Sequence, residues 1–192
     1  MSGHLEITMP GQSKTLESER LSYEAIRKAH ALELADALCD PMVYQFIDDR
    51  MAPSSTGLLE SFARKEAGAP ASRRSETWLD FAMRSKATGE AIGRVEATVL
   101  GSGVELAYLL GARHWGSGFA REAVAWLQQL LIDEYEVRDF WATVKPGNER
   151  SLALLMRLGF SESPKSAWPA RLTTYDEGDL VFHLSATEAR VA

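Results

Sequence analysis

The chain has 192 residues, and its 45% hydrophobic and 25% charged side chains indicate one globular domain, which excludes a disordered or fibrous protein. A net charge of −6 argues against nucleic-acid binding, and a single cysteine, Cys39, excludes an internal disulfide and fits the reducing cytoplasm. No apolar stretch approaches the roughly 18 residues that a membrane-spanning helix needs, so we expect no membrane partner.

The first half of the sequence predicts one strand, then helices, and then a hairpin of strands. We expect one domain over residues 15–184, with loose tails at 1–14 and 185–192. Hydrophobic periodicity predicts a strand at 21–25, helices at 28–38 and 42–47, a helix from Ser55 or Thr56 to about Glu66, and a hairpin of strands at 77–84 and 91–100.

The second half alternates strands with longer helices. Apolar runs and helical spacing predict a strand at 104–110, a helix at 118–135, a strand at 140–144, a helix at 148–158 and a last strand at 180–184. The strand–helix–strand crossover over 104–144 makes its two strands parallel, whereas the hairpins are antiparallel. The predicted fold class is therefore α/β (α+β), a mixed sheet with helices on its faces.

A glycine turn, residues 116–118, joins the strand at 104–110 to the long helix. Gly116 and Gly118 permit a tight turn that leaves the first helix amides uncovered, which is a suitable site for a phosphate or diphosphate, although a plain strand-to-helix turn needs the same glycines. No lysine follows Gly118, which excludes a Walker loop. No acidic residue ends the next strand at Val144, which argues against a dinucleotide-binding fold.

Several motifs around this turn resemble one enzyme family. Arg113-x-x-Gly116-x-Gly118 resembles the acetyl-CoA loop of the GNAT acetyltransferases. Asn148-x-x-Ser151, followed by Leu-Gly-Phe at 158–160, is similar to a block of the ribosomal-protein N-acetyltransferase (RimJ/RimL-like) branch. Residues 16–21 and 88–93 resemble that branch's opening segment and hairpin, so the resemblance covers about residues 15 to 184.

The resemblance implies a fold and a cosubstrate. The fold is a mostly antiparallel sheet of six or seven strands with one parallel crossover and helices on both faces. Acetyl-CoA is the cosubstrate, no metal is needed, and the Leu109 N–H would stabilise the thioester oxyanion. The implied cosubstrate-binding residues are Tyr108, Leu109, Leu110, Arg113, Gly116, Ser117, Gly118, Phe119, Ala120, Asn148 and Ser151.

Three side chains are candidates for proton transfer. Glu105 shares a strand face with Leu109 and is the first candidate for the base, and Glu96 on the neighbouring strand is the second, although either could be an ordinary exposed carboxylate. Ser151 is the candidate that protonates the leaving sulfur. Many family members use a tyrosine for that step where this chain has Leu155.

The sequence leaves the acceptor open. We expect an N-acetyltransferase in which a primary amine, on a peptide N-terminus or a small molecule, attacks acetyl-CoA directly in a ternary complex. A non-catalytic acyl-CoA-binding or sensor domain is the alternative. Residues 48–50 and Trp168 are candidates for the acceptor side, although a solvated loop is the more ordinary interpretation of them. We expect a monomer or a homodimer.

Overall fold

A single mixed sheet forms the centre of the protein, which we describe for residues 16–47 and 52–189 of a computed structural model. Its strands are β1 (Leu21–Ala25), β2 (Glu76–Ser85), β3 (Ala91–Leu100), β4 (Gly103–Leu110), β5 (Asp139–Val144), β6 (Ser161–Glu162) and β7 (Leu180–Ser185). The helices are α1 (His30–Glu33), α2 (Ala35–Leu38), α3 (Ser55–Glu66), α4 (Phe119–Tyr135), α5 (Glu149–Arg157) and α6 (Ala186–Ala189). Short 3₁₀ helices lie at Pro41–Tyr44, Ala71–Arg73, Ala112–His114 and Lys165–Ala167.

The sheet has seven strands in the order β1-β2-β3-β4-β5-β7-β6. All neighbouring strands are antiparallel except β4 and β5, which are parallel and are connected through α4. This confirms the predicted mixed, mostly antiparallel sheet with one parallel crossover.

Two hydrophobic cores cover the two faces of the sheet. On one face, α4 and α5 bury Leu127, Leu131 and Leu155 against strand residues such as Val95. On the other face, α1 to α3 form a second core, with Leu34, Leu38, Leu58 and Phe62 buried near Ala82. Each such side chain contributes roughly 1.5–3 kcal/mol on burial, so both helical layers are held firmly to the strands.

The structure differs from the sequence prediction in local detail. The helix expected at 28–38 is two single turns, because the fully buried Leu34 (φ −95°, ψ 0°) leaves the helical region between them. Ser54 rather than Ser55 or Thr56 caps α3, accepting a hydrogen bond from the Gly57 amide at 3.1 Å. The short strand β6 was not predicted. Residues 185–189, expected in a loose tail, complete β7 and form α6, whereas 1–14 and 190–192 lie outside the described residues.

Candidate active site

The strands β4 and β5 separate part-way along their length. Residues 103–105 of β4 pair with residues 139–141 of β5. Beyond this point, β4 runs beside β3 as far as Leu110, and β5 runs beside β7 as far as Val144. In the described part of the chain, the two strands therefore leave a wedge between them, and β4 has a free edge along it.

The main chain of Tyr108, not that of Leu109, faces the wedge. The Gly111 amide donates to the Ile92 carbonyl at 3.0 Å, which continues the register of the β3–β4 pair. Successive residues of an antiparallel strand direct their main-chain groups to opposite sides. The Leu109 N–H therefore points towards β3, as the Gly111 N–H does. We accordingly expect the Tyr108 N–H, and not the Leu109 N–H, to be the oxyanion donor.

The glycine turn presents exposed amides at the start of α4. Gly116, Ser117 and Gly118 are exposed, and both glycines have a positive φ, 75° and 80°, which costs glycine little. None of the described side chains caps the first amides of α4. These amides lie at the positive end of the helix dipole, so the turn is suited to hold a diphosphate.

Arg113 and His114 lie beside this turn and contact each other. Arg113 is largely exposed, forms an ion pair with Glu90, and donates from Nε to His114 Nε2 at 3.1 Å. Partial burial and the Arg113 charge hold the pKa of His114 below its usual range. His114 is therefore neutral at neutral pH and serves as a hydrogen-bond acceptor for Arg113.

A hydrogen bond between Tyr108 and Ser151 joins β4 to the first turn of α5 across the wedge. The two hydroxyl oxygens are 2.7 Å apart. Burial raises the pKa of Tyr108 to about 12, so the phenol keeps its proton at neutral pH. A phenol is more acidic than an aliphatic hydroxyl, and we assign it as the donor, which leaves the Ser151 hydrogen for another acceptor.

Asn148 caps α5. Its side-chain oxygen accepts a hydrogen bond from the Ser151 amide at 3.2 Å. Capping by a side-chain oxygen is worth about 1 kcal/mol and fixes the first turn of the helix. Asn148 therefore helps to hold Ser151 opposite Tyr108.

The carboxylate of Glu105 is fully occupied by hydrogen bonds. The amides and hydroxyls of Thr173 and Thr174 donate to its two oxygens at 2.5 to 2.9 Å. A carboxylate has about four lone-pair sites, so these donors use its accepting capacity. Glu105, which is buried, thus fastens the segment 163–179 to the sheet, and the expectation of an exposed strand carboxylate is wrong.

Glu96 belongs to a charged cluster under α3. Lys65 Nζ lies 2.9 Å from Glu96 and 2.6 Å from Asp80, and Arg94 also pairs with Glu96. Burial raises the pKa of Glu96, but the charges of Arg94 and Lys65 outweigh burial and hold that pKa below its usual range. Glu96 is therefore ionised and paired rather than exposed.

Two tertiary contacts that the sequence did not predict lie between the end of β4 and the start of α5. Trp115 Nε1 donates to the Leu110 carbonyl at 2.9 Å, and the Arg150 guanidinium lies 4.0 Å from the Trp115 ring centre. The spacing of residues in the sequence does not reveal this stacking of arginine on tryptophan, since the two residues are distant in sequence. The loop and the start of α5 are thereby held together.

The predicted residues fall into two groups. Tyr108, Ser151, Asn148 and the glycine turn surround the wedge, whereas Glu105 and Glu96 occupy the other face of the sheet, engaged with loop and helix partners. Trp168 donates to the Ser163 carbonyl at 2.9 Å within the late loop. Residues 48–50 lie outside the described residues.

None of the helices described for residues 16–47 and 52–189 combines the length and the apolar composition of a transmembrane segment. The same residues contain no group of three or more histidine, cysteine or acidic side chains arranged to bind a metal ion.

The sequence matches the family described as "Acetyltransferase (GNAT) domain" over residues 20–161. It is 30% identical over 161 residues to the uncharacterized N-acetyltransferase p20 of Bacillus licheniformis, covering 78% of this chain and 83% of that protein.

Solved structures share the fold. The spermidine N-acetyltransferase of Vibrio cholerae, solved with CoA and spermine, superimposes with a TM-score of 0.68 at 13% identity, covering 90% of this chain and 99% of that one. The ribosomal-protein-S5-alanine acetyltransferase of Vibrio fischeri gives a TM-score of 0.67 at 17% identity, covering 91% and 97%. With the family match spanning most of the chain and the fold shared throughout, the protein belongs to the GNAT acetyltransferase family.

Proposed function

We propose that this protein is an acetyl-CoA-dependent N-acetyltransferase that transfers the acetyl group to a primary amine by direct attack in a ternary complex. The single observation that carries the proposal is the wedge, whose free β4 edge runs from the exposed glycine turn to the Tyr108–Ser151 pair. We place the protein in the ribosomal-protein (RimJ/RimL-like) branch on its motifs, and in the cytoplasm on its single cysteine.

Acetyl-CoA would be held along this edge. The glycine turn, with Phe119 and Ala120, offers main-chain amides to the diphosphate, and Arg113 adds a positive charge. The pantetheine arm would lie beside residues 108–110 as an additional strand, where the main chains of Tyr108 and Leu110, but not that of Leu109, face it. Asn148 and Ser151 border the same wedge from α5.

The chemistry requires a neutral amine, a stabilised oxyanion and a stabilised thiolate. The amine lone pair forms the new N–C bond, the C–S electron pair moves to sulfur, and the proton lost by nitrogen balances the proton gained by sulfur. The Tyr108 N–H is placed to donate to the oxyanion. Ser151, accepting a hydrogen bond from Tyr108, can donate its own hydrogen to the leaving sulfur.

The engagement of both candidate bases with other partners favours an α-amino acceptor. Glu105 and Glu96 are both committed to other partners, so neither presents a free carboxylate to the wedge. An α-amino group has a pKa near 8, so a useful fraction is neutral without a strong base, whereas a lysine amine near 10.4 needs one. A protein N-terminus is therefore our preferred acceptor and a small amine the second.

Structural neighbours support both acceptor classes. One was solved with spermine, a small amine, and another is named for the alanine of ribosomal protein S5. The late segment 163–179, fastened through Glu105, lies over one end of the sheet, where it can limit the size of the acceptor.

The occupied Glu105 also favours the second candidate, a non-catalytic acyl-CoA-binding domain. Release of free thiol from acetyl-CoA, followed across a library of N-terminal peptides and small amines, separates the two. An N-acetyltransferase releases thiol with at least one amine, and a binding domain binds CoA, detected as a higher melting temperature, without release. If CoA and a CoA fragment without phosphates raise the melting temperature equally, the diphosphate site is wrong.

A further inference from the structure

Arg20, which directly precedes β1, contacts the glycine turn across a separation of 97 residues in the sequence. Its NH1 donates to the Ser117 carbonyl at 2.9 Å, and its Nε donates to Glu122 at 2.7 Å. The Arg20 amide donates to the same carboxylate at 2.7 Å. The guanidinium lies 4.6 Å from the centre of the Phe119 ring. Arg20 thus bridges the glycine turn and the first helical turn of α4.

The bond to the Ser117 carbonyl fixes the direction of the next amide. In a planar trans peptide the carbonyl and the following N–H point in opposite directions. Since the Ser117 carbonyl points to Arg20, the Gly118 N–H points away from Arg20. The guanidinium therefore sets one amide of the turn before any anion is present.

The bonds to Glu122 neutralise a charge that would oppose an anion. Glu122 lies in the first turn of α4, and Ser18 Oγ also donates to it, at 2.6 Å. Burial raises the pKa of Glu122, but the hydrogen bonds from Ser18 and Arg20 outweigh burial and hold that pKa below its usual range. The carboxylate therefore stays ionised, and it holds Arg20 in place rather than capping the helix.

We propose that Arg20 is a positioning residue for the glycine turn, fixing the Ser117–Gly118 peptide and neutralising Glu122 so that the diphosphate of CoA meets a preformed set of amides. This inference rests on the proposed function. It accounts for the arginine in the segment 16–21, which the CoA-binding residues alone leave unexplained.

The test compares the affinity for CoA, which carries the diphosphate, with that for pantetheine, which lacks it, by calorimetry. Arg20→Ala should raise the Kd for CoA about tenfold, since it frees the Ser117–Gly118 peptide and leaves the Glu122 charge unneutralised, and it should leave the Kd for pantetheine unchanged. Glu122→Gln should raise the Kd for CoA less, because the removed negative charge offsets part of the lost support for Arg20, and it should also leave the Kd for pantetheine unchanged. Arg20→Lys should restore only part of the affinity, because an ammonium lacks the planar fork that serves both Glu122 and Ser117.

Arg84 provides a matched control. Like Arg20, it bonds carboxylates and a turn carbonyl, here Glu24 at 2.9 Å, Glu33 at 2.6 Å and the Gly89 carbonyl at 2.8 Å, but it lies at the β2–β3 hairpin. Arg84→Ala should leave both affinities unchanged. A similar loss of CoA affinity in this variant would mean that general destabilisation explains the effect.

Two other outcomes overturn the inference. If Arg20→Ala and Glu122→Gln bind CoA as the unmodified protein does, Arg20 does not position the turn, while the proposed function stands. If Glu122→Gln binds CoA more tightly and Arg20→Ala more weakly, Arg20 contacts the phosphates directly rather than through the turn. An unmodified protein that does not bind CoA would instead contradict the proposed function, and this inference with it.

Discussion

The hydrogen bond between Tyr108 and Ser151 places two hydroxyl groups at the wedge, where the leaving sulfur is proposed to lie. Ser151→Ala should lower kcat about tenfold with little change in the KM for acetyl-CoA, because the lost hydrogen bond forms mainly to the departing thiolate. Tyr108→Phe should lower kcat less, since it removes only the support of Ser151. Steady-state kinetics against acetyl-CoA measure both effects.

The same variants have a spectroscopic signature. The pKa of the thiol of bound CoA, followed by thiolate absorbance, should rise in Ser151→Ala because the thiolate loses its donor, and it should rise less in Tyr108→Phe, where Ser151 remains but loses its support. Tyr135→Phe, at the end of α4, is the control and should change neither kcat nor the thiol pKa. An unchanged thiol pKa in Ser151→Ala would remove Ser151 from leaving-group stabilisation.

At the residue scale, the sequence predicted which residue types surround the wedge but not their partners. Asn148 and Ser151 could be placed by their motif and by the local rule of helix capping. The donors to Glu105 lie at Thr173 and Thr174, in a loop without periodicity, so no local pattern joins them. The role of Glu105 therefore follows only from its tertiary contacts.

The hydrogen bonds of Glu105 hold the segment 163–179 on the sheet. Glu105→Gln replaces an oxygen acceptor by an amide donor, so it should loosen this segment and lower the free energy of unfolding by about 2 kcal/mol. Thr173→Val removes one donor to Glu105 and leaves the carboxylate intact. Limited proteolysis of the segment and kcat, measured together, separate the loop role from a base role.

A loop role and a base role of Glu105 predict different combinations of kcat and proteolysis in these variants. If Glu105 acts through the loop, both variants speed cleavage of the segment and lower kcat in proportion. If Glu105 is the base, kcat falls steeply in Glu105→Gln and stays near normal in Thr173→Val.

At the element scale, strong hydrophobic periodicity was sufficient to predict the longer helices and strands. The helix α4 and the strands β3 and β4 agree with prediction to within a residue or two, because each presents one long apolar face to a core. The turns α1 and α2 and the two-residue β6 are held by tertiary packing or by strand pairing, not by their own sequence. Such short elements carry too few residues for a pattern.

The buried charges beneath α3 link one helical layer to the sheet. Lys65 on α3 joins Asp80 of β2 to Glu96 of β3, which are direct cross-strand neighbours. Burial and the Glu96 charge raise the pKa of Asp80, so Lys65 offsets a repulsion between carboxylates. Lys65→Met should lower the free energy of unfolding by about 3–5 kcal/mol, because it leaves the Asp80 carboxylate buried beside Glu96 without its partner cation.

Denaturant unfolding measures this loss, and Lys86 is the matched control. Lys86 pairs with Glu17 at 2.6 Å at a more exposed position. Lys86→Met should cost less than about 1 kcal/mol, as exposed ion pairs contribute little. Equal losses in the two variants would show that the cluster does not join α3 to the sheet.

The stability of the whole molecule should fall at alkaline pH, and Tyr108 contributes to this fall. Burial raises the pKa of Tyr108 from 10.0 to about 12, against a smaller opposing effect of its bond to Ser151. Below pH 10 the phenol is protonated in both the folded and the unfolded chain, so its contribution to the free energy of unfolding is fully present. Between pH 10 and 12 only the unfolded chain ionises, and the folded state loses about 3 kcal/mol of relative stability.

This alkaline loss is measured by denaturant unfolding of the unmodified protein and of Tyr108→Phe between pH 9 and pH 12. The phenylalanine variant cannot ionise, so its free energy of unfolding should fall less steeply above pH 10, and the two curves should converge as pH rises. Parallel curves would mean that Tyr108 is hydrated in the folded state. In that event the phenol would not be a buried donor, and Ser151 would lose the support that the leaving-group proposal requires.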